Sequence, residues 1–150
     1  MKVYLETGKK RSFAIAIEWI GLARSSKTPE DALAALVVYA PRYLKSMGLA
    51  AGRLKAPRTV VELDVVARLE GNTTTDFGAP DAILPADRQP VSERDLDAAI
   101  TALQASWDSF DAAAKRAQGR TLGPSGPRGG GRSVDKMTAQ VHEAQGVVTA

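Results

Sequence analysis

The chain has 150 residues, enough for one domain or for two small lobes on a shared core. It is 44% hydrophobic and 25% charged, an ordinary globular balance, but only 5% aromatic, so Ala, Val, Leu and Ile must build the core. It contains no cysteine, which excludes disulfides, thiol catalysis, cysteine zinc sites and iron–sulfur clusters, and fits a reducing compartment. Glu6 and Lys9-Lys10-Arg11 interrupt any signal-peptide apolar core. The apolar run 13–17 ends at Glu18, far short of the ~20 residues a membrane helix needs. The expected location is the cytoplasm, with no membrane partner.

The net charge of +3 hides a segregation along the chain. Residues 1–60 carry 11 basic and 4 acidic side chains, residues 61–113 carry 3 and 11, and residues 114–150 carry 6 and 2. A basic first segment suits a polyanion; segments of opposite sign also suit packing against one another or pairing between subunits.

Residues 3–7 read as a short strand. A polar turn, Gly8-Lys9-Lys10-Arg11, leads to Phe13, Ile15, Ile17 and Trp19 alternating with smaller or polar residues. That period of two predicts a second strand with one large apolar face, and the pair predicts a β-hairpin. Residues 21–27 read as a connection. Thr28-Pro29-Glu30-Asp31 is a helix start, with a capping hydroxyl, a proline suited to the first turn and acids at the positive end of the dipole. Leu33, Leu36, Val37, Ala40, Leu44 and Met47 continue at helical spacing, with Pro41 expected to kink the helix near Val37.

Residues 60–70 give the clearest alternation: Val61, Leu63, Val65, Ala67 and Leu69 on one face, mostly polar residues on the other. The stretch 71–90, rich in Gly, Pro, Asp and Thr, reads as a long loop or linker. Ser92-Glu93-Arg94-Asp95 opens a second helix, along which Leu96, Ile100, Leu103, Trp107, Phe110, Ala114 and Ala117 recur at alternating steps of four and three. Residues 119–132 hold six glycines, two prolines and three arginines. Ser133 caps a last predicted helix, whose seam of Val134, Met137, Val141, Ala144 and Val148 suits antiparallel pairing with the previous one. This seam is still running at Ala150, so its partner surface lies in another subunit or the chain is a fragment of something longer.

Few residues offer chemistry. Gly126 to Ser133 has the spacing of a phosphate loop with Arg132 in place of lysine, and it leads into a helix start. A helix rather than a strand precedes it, so Arg128, Arg132 and Ser133 are candidates for anion binding rather than a nucleotide site. Arg128-Gly129-Gly130 is a single copy of an RNA-binding tripeptide with no aromatic beside it. His142 is the only histidine, too few for a catalytic zinc site, and Asp108 and Asp111 fall on a solvated helix face. Thr73-Thr74-Thr75-Asp76-Phe77-Gly78 sets hydroxyls and a carboxylate beside an aromatic after a strand. Thr74, Asp76 and Phe77, with Trp19 and Trp107, are the candidate lining of a small-ligand pocket. The competing reading is a turn in which Thr and Asp satisfy local backbone and Phe77 plugs the core, with both tryptophans as core residues.

Trp19 to Ser25, followed by Thr28-Pro29-Glu30-Asp31-Ala32-Leu33, resembles the HicB-like antitoxin module, in which a short turn and a similar helix start follow a strand. The resemblance implies a small β-rich fold with one packed helix. Residues 91–148, through the Gly- and Arg-rich loop, Ser133-Val134-Asp135-Lys136 and Val141-His142-Glu143-Ala144, are similar to DinB-like helical bundles. That family often holds a metal on three histidines; His142 stands alone here, so no metal-dependent activity carries over. Together these resemblances match a group of uncharacterised bacterial proteins.

The expected fold class is α+β, a small antiparallel sheet with one packed helix followed by an α-helical hairpin. Residues 1–70 form the HicB-like lobe, 71–90 a linker, and 91–150 the hairpin with its Gly/Arg-rich connection. The expected function is a non-enzymatic protein-interaction module, antitoxin-like, that forms a homodimer or takes a protein partner and needs no cofactor, metal or catalytic residue. The alternatives are a ligand-binding protein or enzyme with a pocket between sheet and helices, and nucleic-acid binding through the basic first lobe.

Overall fold

A computed structural model describes residues 1–52, 54–120 and 133–146. Arg128 and Arg132, and the end of the last predicted helix, lie outside these residues. The chain forms two compact units, Met1–Ala105 and Ser106–Ala150, and the division falls inside a helix rather than within 71–90.

The first unit is built on a four-stranded sheet of β1 (Lys2–Thr7), β2 (Ser12–Ala16), β3 (Ala23–Ser26) and β4 (Asp64–Glu70), in the order β3-β2-β1-β4. β1, β2 and β3 form an antiparallel meander. The polar run 23–26, expected to be a connection, becomes β3 because its register is set by pairing with β2 and not by its own pattern. The all-antiparallel expectation is corrected at β4, which pairs parallel with β1. The reason lies in α1 (Pro29–Met47), which runs between β3 and β4 and carries the chain to the opposite edge of the sheet. A strand entered through such a helical crossover runs in the direction of the strand that preceded it.

Thr28 caps α1 by accepting from the Asp31 N–H at 3.1 Å, with Pro29 in the first turn. The helix runs on across Pro41 and ends at Gly48, which sits at φ 52° and donates its N–H to Leu44 O. Its buried side, Ala32, Leu33, Leu36, Ala40, Tyr43 and Met47, packs on Val3, Leu5, Ala14 and Ala16 of the sheet, with Trp19, Leu22 and Leu63 closing the core.

The sheet inverts the expected polarity of β2. Ala14 and Ala16 face α1, paired with Leu5 and Val3, while Phe13 and Ile15 alternate onto the other face. Small residues under the helix let it approach the sheet closely. In β4 the burial alternates as the pattern predicts, with Val65, Ala67 and Leu69 half-buried between exposed neighbours. The strand begins only at Asp64, because Val60–Glu62 forms a 3-10 turn.

The stretch 71–90 is structured. It holds α2 (Thr73–Phe77) and a 3-10 turn at Pro85–Arg88, and Leu84 is buried. Beyond it come α3 (Glu93–Ala117) and, in the second unit, α4 (Val134–Gly146). The result is an α+β fold with a mixed sheet followed by two helices. Among the described residues, no helix is long and apolar enough to cross a membrane.

Candidate functional site

The loop after β4 was the candidate ligand site, and its polar groups are engaged with the protein itself. Asn72 caps α2 by accepting from the Thr74 and Thr75 N–H groups, while its own N–H donates to Thr75 Oγ1 at 2.8 Å. Asp76 accepts from the backbone N–H groups of Lys9 (3.2 Å) and Lys10 (2.7 Å), so its carboxylate closes the β1–β2 turn. Thr74 is exposed and contributes backbone to the Gly78 cap. Phe77 is exposed, where plugging the core was one expectation; Thr75 is the buried residue of this segment. At about 100° per residue Phe77 lies about 200° round the helix from the buried Thr75, and so on its outer side.

Beneath this segment lies a residue the sequence did not single out. Glu6 is fully buried. Its carboxylate accepts from the Thr75 hydroxyl at 2.5 Å, from the Asp81 N–H at 3.0 Å to each oxygen and from the Ala82 N–H at 2.9 Å. These bonds tie 72–82 onto the sheet, and they satisfy a buried carboxylate as burial requires. Tyr4 shares this surface: burial, then the nearby carboxylates of Asp87 and Glu6, push its phenol above the ordinary value of 10.0. The signal available in the sequence was one acid in the alternation Val3, Leu5, placed by period two on the face opposite those residues.

Trp19 is buried in the core, stacked on Tyr43 with ring centroids 5.6 Å apart and 22° between planes. Tyr43 donates its hydroxyl to Ile20 O at 2.9 Å, and burial raises its phenol above 10.0. Trp107 is partly exposed on α3 and belongs to the second unit. Tyr43 and Met47, with Ile20, Ala98 and Ala102, line a cleft of about 690 Å³ bordered by Glu18, Arg94 and Asp95. None of Thr74, Asp76 and Phe77 lines it. In the second unit, Asp111 and Lys115 of α3 and Asp135 and His142 of α4 flank a groove of about 630 Å³. Ser133 accepts from the Lys136 N–H at 3.3 Å, so its hydroxyl caps α4. Among the described residues, no group of three or more His, Cys, Asp or Glu is arranged to hold a metal ion.

The larger departure concerns α3. Its seam was expected to suit pairing with the seam of the last helix, yet Leu96, Ile100, Leu103 and Trp107 are 52%, 45%, 49% and 39% exposed. The residues of α3 packed on the core of the first unit are Ala102 and Ala105. At about 100° per residue, Ala98, Ala102 and Ala105 lie roughly half a turn from Leu96, Ile100 and Leu103. Alanines allow a close approach on the inner side, and the larger residues are left outside. Glu93, Asp97 and Asp108 border that outer stripe along one side.

The fold and these surfaces define an α+β protein with a self-satisfied loop and an outward-facing apolar helix. No protein-family model, curated protein or solved structure matches this chain.

Proposed function

We propose that the protein is a non-enzymatic interaction module whose docking surface is the outer stripe of α3, and whose partner is a basic amphipathic helix of another protein. The exposure of Leu96, Ile100 and Leu103 carries the reading, since their side chains are spaced as one helix seam and about half of each remains in solvent. The acidic border selects the partner. A second copy laid antiparallel sets the Glu93–Asp97 border against itself, and one laid parallel sets it against small neutral residues such as Ala99 and Ser106. A helix with lysines flanking its seam meets the border with opposite charge. The antitoxin-like character of the first unit remains part of this proposal and draws on the resemblance of Trp19–Ser25 and Thr28–Leu33.

The probe is a synthetic 21-residue helix with leucines at seam positions and lysines flanking them. The expected result is binding in anisotropy that Ile100→Glu/Leu103→Glu weakens at least tenfold and that added salt weakens. Absence of binding, or binding unchanged in the variant, refutes the proposal. A dimer by light scattering that the same variant dissociates refutes the choice of partner and names a second copy.

A small-ligand reading rests on the cleft beside Tyr43. Because Trp19 stacks on Tyr43, a ligand seated there changes tryptophan fluorescence. A screen of apolar probes that leaves the emission unmoved ends that reading.

A further inference from the structure

Arg24 and Arg42 approach one aromatic ring from different elements. Arg24, on β3, holds its guanidinium carbon 3.0 Å from the centroid of the Tyr39 ring, and Arg42, one turn along α1 from Tyr39, lies 5.5 Å from the same point. The two cations therefore sit closer together than the roughly 10 Å Debye length at 0.1 M salt, and each feels the other. The ring's negative face offsets part of that repulsion. Among the described residues no carboxylate pairs with either, and Arg24 also donates from Nη1 to Ala23 O at 2.8 Å.

The surroundings extend the same charge. β3 is an edge strand of the sheet. Ser12 pairs with Ser26, so the turn bearing Lys9, Lys10 and Arg11 lies at the end of the sheet where β3 leads into Lys27. Arg11 reaches the edge from the other face, donating Nη1 to Ser25 Oγ at 3.0 Å. Lys45 follows Arg42 on the exposed side of α1. Basic side chains on an edge strand also deter pairing with another strand. That role needs no arginine on α1 and no ring shared between two guanidiniums.

We infer that the Arg24–Tyr39–Arg42 cluster is a phosphate site, and that the basic groups around the β3 edge make it one station for the backbone of a single-stranded nucleic acid. Two guanidiniums at this separation fit around one phosphate, each offering a pair of N–H donors to its oxygens. A lone small phosphate needs only these two residues. The continuation through Lys9, Lys10, Arg11 and Lys27 fits a ligand that repeats its charge. This inference uses the first unit alone and is independent of the α3 stripe.

The test is fluorescence anisotropy of a labelled 20-nucleotide single strand with the full chain, titrated from 50 to 300 mM KCl. Binding is expected to fall steeply with salt, and Arg24→Ala/Arg42→Ala to weaken it at least tenfold at 100 mM. Losing the one phosphate held between them lowers the slope of log K against log salt by about 0.7 for a single strand. Arg24→Lys/Arg42→Lys keeps the charges and is expected to keep the slope, which separates lost contacts from damage to the fold. Lys115→Ala/Arg116→Ala, on α3, is expected to change nothing. No binding at 50 mM, or binding that the alanine pair leaves intact, overturns the inference. Competition by millimolar inorganic phosphate that abolishes binding, with the same slope for a mononucleotide as for the 20-mer, overturns the polynucleotide in favour of a small phosphate.

Discussion

Replacing Glu6 by glutamine tests whether one carboxylate holds the loop after β4 onto the sheet. The side chain is fully buried and accepts from the Thr75 hydroxyl and from the Asp81 and Ala82 N–H groups. Glutamine keeps one acceptor oxygen and puts an NH₂ where the second stood. The best arrangement aims the oxygen at Asp81 and Ala82 and turns the Thr75 hydroxyl to accept, although Thr75 Oγ1 already accepts from the Asn72 N–H. About one charge-assisted hydrogen bond is then lost, which costs about 1.5–3 kcal/mol. Glu6→Ala leaves all three donors without an acceptor and is expected to cost about 4 kcal/mol, since each orphaned buried donor costs about 1–3 kcal/mol. Urea unfolding with an unchanged slope reads the difference, and at this chain length each kcal/mol moves the melting temperature by about 2–4 °C. Amide hydrogen exchange locates it: protection at Asp81 and Ala82 is expected to fall before protection in β1. If Glu6→Gln stays within about 0.5 kcal/mol of the native chain and those amides keep their protection, the clamp is not what orders the loop.

The two sides of α3 are expected to respond oppositely to substitution. Leu103→Gln, on the outer stripe, is expected to shift stability by under about 1 kcal/mol, whereas Ala102→Leu, packed on the core, forces overpacking that costs about 1–3 kcal/mol; chemical denaturation compares them. Trp19→Ala empties the centre of the first unit and is expected to cost about 3–5 kcal/mol, while Tyr43→Phe removes only the bond to Ile20 O and costs about 1 kcal/mol, both read by thermal melts. Tyr4 and Tyr43 both have phenols raised above 10.0 in the folded chain. The folded state therefore holds those protons more tightly than the unfolded one, so stability is expected to fall as pH rises past about 10. Absorbance at 295 nm is expected to show two tyrosines titrating late, and denaturation at pH 9 and pH 11 checks the sign.

Much of the fold is written in local pattern. The period of two placed β1 and the burial alternation of β4, and Thr28-Pro29-Glu30-Asp31 placed the start of α1, because strand faces and helix caps depend on neighbours a few residues apart. The candidate site was far less legible. Asp76 was singled out as a candidate ligand residue, but the partners it has in the structure, the Lys9 and Lys10 amides, are 67 and 66 residues away in sequence. Thr75 looked no different from Thr74, and only the docking of α2 on the sheet buries one and exposes the other.

The sequence by itself determined an α+β chain with a capped, proline-bearing helix, a basic first segment and a seamed helix. Only the tertiary structure decided that β4 runs parallel to β1, that Ala14 and Ala16 rather than Phe13 and Ile15 lie under α1, and that α3 turns its alanines inward. The physical reason is the same in each case. Hydrophobic pattern states that a face is to be covered, but which neighbour covers it depends on how closely two backbones approach. Small side chains permit the closest approach, and so a stripe of larger residues is left outside.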